Sequence, residues 1–329
     1  MAGFEKPLMH GFVERLENDG IYLDEIHALH NKAMRVSFSL GEMPEGAKIV
    51  IGHGESCYGG AFAEITDKNL TVYRYTREAD LTRTAEHGLL LRGDVLVTLD
   101  AGIGFADVCL SVGGESFSLC EIPWTGRNGR VFVKSEGVAL TNVDVSWYCS
   151  DFENDIWLIG DSYFNGNSTA RWPYYLINDG YTEHCLLGFP GRGSLSAIAD
   201  FKQALEYGTP KYAVWCMGMN DRDAEDCVNP NWKKASDEFL AICREKGIVP
   251  ILSTVPNVPE RINSFKNDIV RASGYRYIDF AEAVGGVERG SSWYDGMLSP
   301  DLVHPDVAGA EALYRAVIRD FPEIKGLTK

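Results

Sequence analysis

The hydrophobic rhythm of this chain changes once, near residue 150, and no other feature constrains the fold as strongly. From Met34 to Ser150 the apolar residues come in short runs rich in β-branched and aromatic side chains: MRVSFSL, KIVIGH, AFAEIT, NLTVYRYT, DVLVTLD, ADVCLSV, SFSLCEI, RVFVKSE and VDVSWYC. GEMPEG, GGES and GRNG punctuate them with turn chemistry. Regular spacing of this kind predicts an all-β sandwich or jelly roll. The first 33 residues are ambiguous, because GFVERLENDGIYLDEIHALH reads equally as a helix or as edge strands. From Asn154 the pattern alternates. Compact apolar runs (IWLIG, EHCLLGF, KYAVWCMG, VPILSTV, YRYIDF) are separated by amphipathic stretches (WPYYLIND, SLSAIADFKQALEYG, WKKASDEFLAICREKG, ERINSFKNDIVRASG), and VAGAEALYRAVIRDF adds a last helix. Near-continuous apolar strands between helices predict a parallel sheet covered on both faces. Two domains are therefore expected, an all-β domain over 1–152 and a doubly wound α/β domain over 153–329. The active site should lie at the carboxyl ends of the second domain's strands.

Charge narrows the partners. The chain of 329 residues carries a formal net charge of −16. Up to Ser150 there are 13 basic and 21 acidic residues, and beyond it 18 and 26, so each half carries −8. That field repels phosphate backbones and anionic lipid, which argues against nucleic-acid and membrane-surface partners and for a neutral or weakly charged ligand. No run approaches the 18 apolar residues of a membrane span. The opening residues lack the basic and apolar regions of a signal peptide, although a chain whose leader had been removed would read the same. None of the eight cysteines forms C-x-x-C. Most sit in apolar runs and read as free buried thiols, with Cys109–Cys120 as one possible cross-strand pair. A bacterial cytoplasm fits these features; secretion fits a processed chain. Asp24, Glu25, His27 and His30 form the one clustered metal-ligand alternative, but H-E-x-x-H spacing is missing, so no metal or other cofactor is expected. The oligomeric state stays open.

The chemistry-bearing residues fall at the ends of the expected α/β strands. IWLIG runs into Asp161-Ser162, where a hydroxyl can be presented beside backbone N–H groups. EHCLLGF runs toward Gly191, Arg192 and Gly193, where glycine permits close backbone approach to a ligand. KYAVWCMG ends in Asn220-Asp221, and an Asn there can aim its amide into the cleft or cap a helix. Asp301 precedes His304 by three residues, a spacing at which a carboxylate reaches Nδ1 and fixes the tautomer. Each feature alone is a common turn or cap; together they suggest nucleophilic catalysis.

GDSY (Gly160–Tyr163), GFPG (Gly188–Gly191), GMND (Gly218–Asp221) and DLVH (Asp301–His304) resemble, in order and approximate spacing, the signature blocks of the SGNH or GDSL-type hydrolases. The resemblance covers 154–329 and implies a three-layer, flavodoxin-like α/β fold. It implies Ser162 as nucleophile, His304 as general base and Asp301 as its orienting acid. Gly191 N–H, Ser162 N–H and the Asn220 amide would form the oxyanion hole. The second block has Phe189-Pro190 where the family often has Asn, so Gly193 is an alternative to Gly191. More loosely, GRVFVKSEGVALTNVDVSWY resembles jelly-roll modules of the concanavalin-like and laminin-G type; jelly rolls fused before an SGNH domain also occur in carbohydrate acetylesterases, especially those of family two. The resemblance thus implies a small-acyl esterase acting on acetylated oligosaccharides, with Tyr163, Phe164, Arg192, Trp293 and Tyr294 as candidate sugar-facing groups. Trp124 and Trp147 are expected in the sandwich core. Another small-acyl esterase, lipase or thioesterase, or a non-catalytic glycan-binding protein, are the alternatives.

Overall fold

A computed structural model describes residues 7–24, 32–54, 60–75, 79–101, 105–123, 130–164, 171–181, 184–188, 191–259, 261–285 and 292–326. Trp124, Cys57, Phe189, Pro190 and the Glu25–His30 cluster lie outside the described residues. The chain divides into two compact units, Met1–Ser150 and Asp151–Lys329.

The first unit contains strands β1 (Met9–Glu17), β2 (Gly20–Asp24), β3 (Lys32–Glu42), β4 (Lys48–His53), β5 (Ala61–Ile65), β6 (Asn69–Tyr75), β7 (Ala79–Glu86), β8 (Arg92–Ala101), β9 (Phe105–Val112), β10 (Glu115–Pro123), β11 (Arg130–Glu136) and β12 (Ala139–Cys149). They form two six-stranded sheets, β1-β12-β3-β8-β9-β10 and β2-β11-β4-β5-β6-β7. All neighbours are antiparallel. The ambiguous N-terminal segment is strand: β1 and β2 are edge strands of the two sheets. Alternation sets the faces, since Met34, Val36, Phe38 and Leu40 of β3 are buried while Arg35, Ser37 and Ser39 between them are not. Trp147 is fully buried, as a core residue should be. Cys109 and Cys120 are free thiols. The register places Ser118, not Cys120, opposite Cys109, and a bulge follows Leu119.

The second unit carries a parallel sheet built from β13 (Ile156–Gly160), β14 (Cys185–Gly188), β15 (Tyr212–Cys216), β16 (Val249–Ser253) and the two-residue β17 (Tyr277–Ile278), in the order β14-β13-β15-β16-β17. Every residue of β13 and β14 is buried, as expected of strands covered on both faces. The helices are α1 (Trp172–Asn178), α2 (Ser194–Ala204), α3 (Pro230–Lys246), α4 (Ser264–Ala272), α5 (Phe280–Gly285) and α6 (Val307–Asp320). α2 packs with α3, while α1 and α5 pack with α6. No described helix is long and apolar enough to cross a membrane. α3 shows why its sequence is helical. Asn229 caps its first turn by accepting from Asn231 and Trp232 N–H, Pro230 opens it, and Gly247 closes it at φ 70°. Its buried stripe includes Phe239, whose ring stacks on Trp215 of β15 at 4.9 Å and meets Phe201 of α2 at 5.4 Å.

Phe239→Ala should therefore lower the unfolding free energy by about 3–5 kcal/mol. Urea denaturation would measure it, and a loss under 1 kcal/mol would show that this contact is not central to the unit.

Candidate active site

The order β14-β13-β15 makes β13 the strand at which the winding reverses, and ligands bind beside such a reversal at the strands' carboxyl ends. Ser162 lies there, two residues past β13. The turn is shaped by one ring. Phe164 folds back over the strand ends so closely that a Cβ at Gly160 would lie 1.8 Å from it, and one at Gly188 2.6 Å. Only glycine fits either place. Asp161 ties the turn by accepting from Tyr163 N–H at 3.1 Å.

His304 comes from the loop before α6. Its Nε2 is 2.8 Å from Ser162 Oγ and its Nδ1 is 2.7 Å from Asp301 Oδ2. Asp301 Oδ1 accepts from Ser299 Oγ–H at 2.7 Å and from Val303 and His304 N–H, both at 2.9 Å. Burial pushes the Asp301 carboxyl up, but the donors on His304, Ser299 and Val303 outweigh it and hold the group well below the usual carboxylate range. An ionised carboxylate only accepts, so Nδ1 carries the proton and Nε2 faces the serine as an acceptor. The loop is braced by Leu302 in the left-handed region (φ 59°), by Ser299 N–H donating to His304 C=O at 2.9 Å, and by a bridge between Leu298 and Pro305.

Asn220 follows β15. Its Nδ2 donates to Arg192 C=O at 3.0 Å, which leaves the second amide hydrogen for another acceptor. Gly191 is in the left-handed region (φ 75°), a conformation that favours glycine. Gly193 caps α2 in extended conformation, and Ser194 is tied through both N–H and Oγ–H to Asp221 Oδ2, at 2.9 and 2.7 Å.

The candidate sugar-facing residues are placed differently from expectation. Tyr163 is buried, its hydroxyl donating to Val303 C=O at 2.7 Å, and its ring lies 6.1 Å from that of His304. Trp293 is buried against Tyr163, with centroids 6.3 Å apart. Phe164 is fully buried. These three support the His304 loop and the serine turn; none offers an open face to a sugar. Arg192 is committed to Asp200, with Nε at 2.7 Å. Of the set, Tyr294 is exposed. Reasoning from sequence missed Arg261, whose Nη1 lies 3.3 Å from Met219 C=O and 3.5 Å from Asn220 Oδ1. It falls within ERINSFKND, whose amphipathic pattern reads as helix although α4 begins only at Ser264.

No family model matches the chain, and no curated protein does. Solved structures that it resembles include lipolytic and esterase proteins aligned over about half of the chain, a sheep galectin over 39% and an exo-inulinase over 44%. A lipolytic protein of the G-D-S-L family from Desulfitobacterium hafniense has 16% identity and TM-score 0.43, over 50% of this chain and 98% of its own. A lipase/acylhydrolase from Enterococcus faecalis has 23% identity and TM-score 0.39, over 53% and 96%. A mutant acetyl-xylooligosaccharide esterase from Geobacillus has 18% identity and TM-score 0.39, over 50% and 92%.

Asp161 generates a test of its own. Burial pushes its carboxyl up to about 7, the Tyr163 N–H opposes this, and the Asp221 charge adds to it. The folded state therefore keeps the proton between about 4 and about 7, an interval in which the unfolded chain has lost it. Stability falls as pH rises through that window. Asp161→Asn, which keeps the acceptor, should gain on the wild type by roughly 3–4 kcal/mol between pH 4 and pH 8. Urea unfolding of both proteins across that range measures the gap, and a constant gap would refute the assignment.

Proposed function

We propose that this chain is a serine ester hydrolase that removes small acyl groups, acetyl above all, from oligosaccharides. The observation that carries this reading is the continuous hydrogen-bonded line from Ser162 through His304 to Asp301. Ser162 Oγ attacks the ester carbonyl carbon while His304 Nε2 takes its proton. The carbonyl oxygen becomes an oxyanion, for which the free amide hydrogen of Asn220 and the N–H groups of Ser162 and Gly191 are the candidate donors. The tetrahedral intermediate collapses, and the departing alcohol takes the proton from His304. Water then attacks the acyl-enzyme and gives its proton to His304. Acetate leaves and the proton returns to Ser162. Asp301 stays ionised throughout and stabilises the imidazolium. No step requires a metal.

The first unit is read as a jelly-roll accessory domain. Its pairing of β1 with β12 and of β2 with β11, which sets the unit's first strands beside its last, supports that reading. An aromatic content of 11% without a strongly apolar lid favours a sugar over a long acyl chain.

Ser162→Ala should abolish turnover of p-nitrophenyl acetate, and equal turnover in both proteins would end the esterase reading in favour of a glycan-binding one. Asn220→Ala should lower kcat by about 10²–10³-fold; an unchanged kcat would remove Asn220 from the oxyanion hole. Longer acyl chains should be poorer substrates, and a preference for octanoate would point to a lipase.

A further inference from the structure

Arg261 is a cation with unspent donors beside the candidate oxyanion hole. One of its nitrogens, Nη1, faces Met219 C=O and Asn220 Oδ1. Among the described residues no carboxylate forms an ion pair with it, and its remaining N–H groups are neither bonded to protein nor sealed from solvent. Its neighbours contrast with it. Arg192 is paired with Asp200, and the fully buried Lys266 with Asp223 at 3.0 Å. The charge of Arg261 is felt at both Asp161 and Tyr163, on the serine turn.

Hydrogen bonds fix the described residues around Arg261. Arg261 and Val258 exchange backbone hydrogen bonds of 2.8 and 3.1 Å. Two residues on, the fully buried Asn263 receives Lys266 Nζ at 2.8 Å, donates through its Nδ2 to Pro256 C=O at 2.9 Å, and donates through its N–H to Asn257 Oδ1 at 2.7 Å. Such a network is costly to bury and fixes one conformation. It holds a guanidinium with free donors within roughly 9 Å of an oxyanion that Asn220 would bind at ordinary hydrogen-bond length.

We propose that Arg261 anchors an anionic substituent, a carboxylate or a phosphate, on the alcohol part of the ester, so that the preferred substrate is an acetylated acidic sugar. This rests on the esterase reading above. An acetyl group has no position for a charge, so the anion belongs to the sugar. The planar guanidinium fork matches the paired oxygens of either group. The overall charge of −16 does not forbid it, since exposed charges beyond about 8 Å are largely screened at physiological salt.

The test compares three substrates: a methyl O-acetylglucuronoside, its neutral C6 methyl ester, and an O-acetylglucose 6-phosphate. Wild type should prefer at least one anionic substrate over the neutral one by about tenfold or more in kcat/KM, chiefly through KM, and added salt should weaken the preference. The better anion identifies the group. Arg261→Gln should bring the ratio close to one, and Arg261→Lys should restore part of it. Binding of glucuronate and of its methyl ester to Ser162→Ala, followed by calorimetry, reads the same selectivity without turnover. Equal kcat/KM for charged and neutral substrates, with hydrolysis of p-nitrophenyl acetate intact, would overturn this inference and leave the esterase reading standing. An equal loss on all three substrates in Arg261→Gln would also overturn it, because the arginine would then act only by positioning Asn220. Absence of p-nitrophenyl acetate hydrolysis in wild type would remove the esterase reading itself.

Discussion

The Asp301 carboxylate holds four donors at once, and the geometry of the site follows from that. Two are backbone N–H groups of the residues that come after it, one is the Ser299 hydroxyl and one is the His304 ring. Hydrogen bonds to an ionised acceptor contribute about 1.5–3 kcal/mol each, enough together to curl Asp301–His304 into a single turn and to keep Leu302 in the left-handed region. The imidazole is then oriented by the backbone that bears it. Tyr163 closes the circuit from the opposite side. Its hydroxyl ties the residue after Ser162 to Val303 C=O, so the two halves of the Ser162–His304 contact are joined by a second, independent hydrogen bond.

Carboxylates crowd the strand ends, and the fold deals with each in its own way. Asp221 accepts two hydrogen bonds from Ser194 at the start of α2, where the helix N-terminus also favours negative charge. Asp223 is paired with Lys266 in a setting where both side chains are fully buried. Asp161 forms no ion pair among the described residues and feels Arg261 only through space, so burial dominates and pushes its carboxyl up to about 7. Ser162 thus follows a residue that is largely neutral on the acid side of neutrality. The ionised carboxylate is kept on the far side of His304, where negative charge assists the imidazolium.

What the sequence made legible and what it did not separate along one physical line. Strands covered on both faces, such as β13 and β14, announce themselves as unbroken apolar runs, and catalytic candidates stand out because they are polar residues directly after such runs. β7 is hidden because it is an edge strand: Leu81 is exposed, and charged residues protect its free side in place of an alternating pattern. β1 and β2 were ambiguous for the same reason. α5 is six residues long, too short to show a period. Tyr163 and Trp293 show the opposite failure. An aromatic residue next to a motif reads as a binding platform, yet a loop that must hold an imidazole still needs packing beneath it, and composition cannot separate the two uses. Arg261 was invisible because its role depends on a partner 41 positions away.

Net charge and local charge act over different distances, and this bears on the substrate proposed for the site. A field summed over 329 residues governs approach and solubility. Within a cleft, the nearest fixed dipoles and ions decide. At the Asn220 corner these include the Arg261 guanidinium and the Asn220 amide, with Met219 C=O and Arg192 C=O as their acceptors. Of the acids nearest the serine, Asp161 is pushed up to about 7 by burial, Asp221 is hydrogen-bonded to Ser194 and Asp301 is turned toward the imidazole. A chain that repels anions at long range therefore carries, beside Ser162, a guanidinium and the amide donor on which the proposed oxyanion hole depends. On the role proposed for Arg261, the same environment would also hold a permanent anion. Long-range repulsion would then slow encounter with polyanions while sparing small acidic sugars, whose single charge meets the screened field only briefly before reaching the arginine.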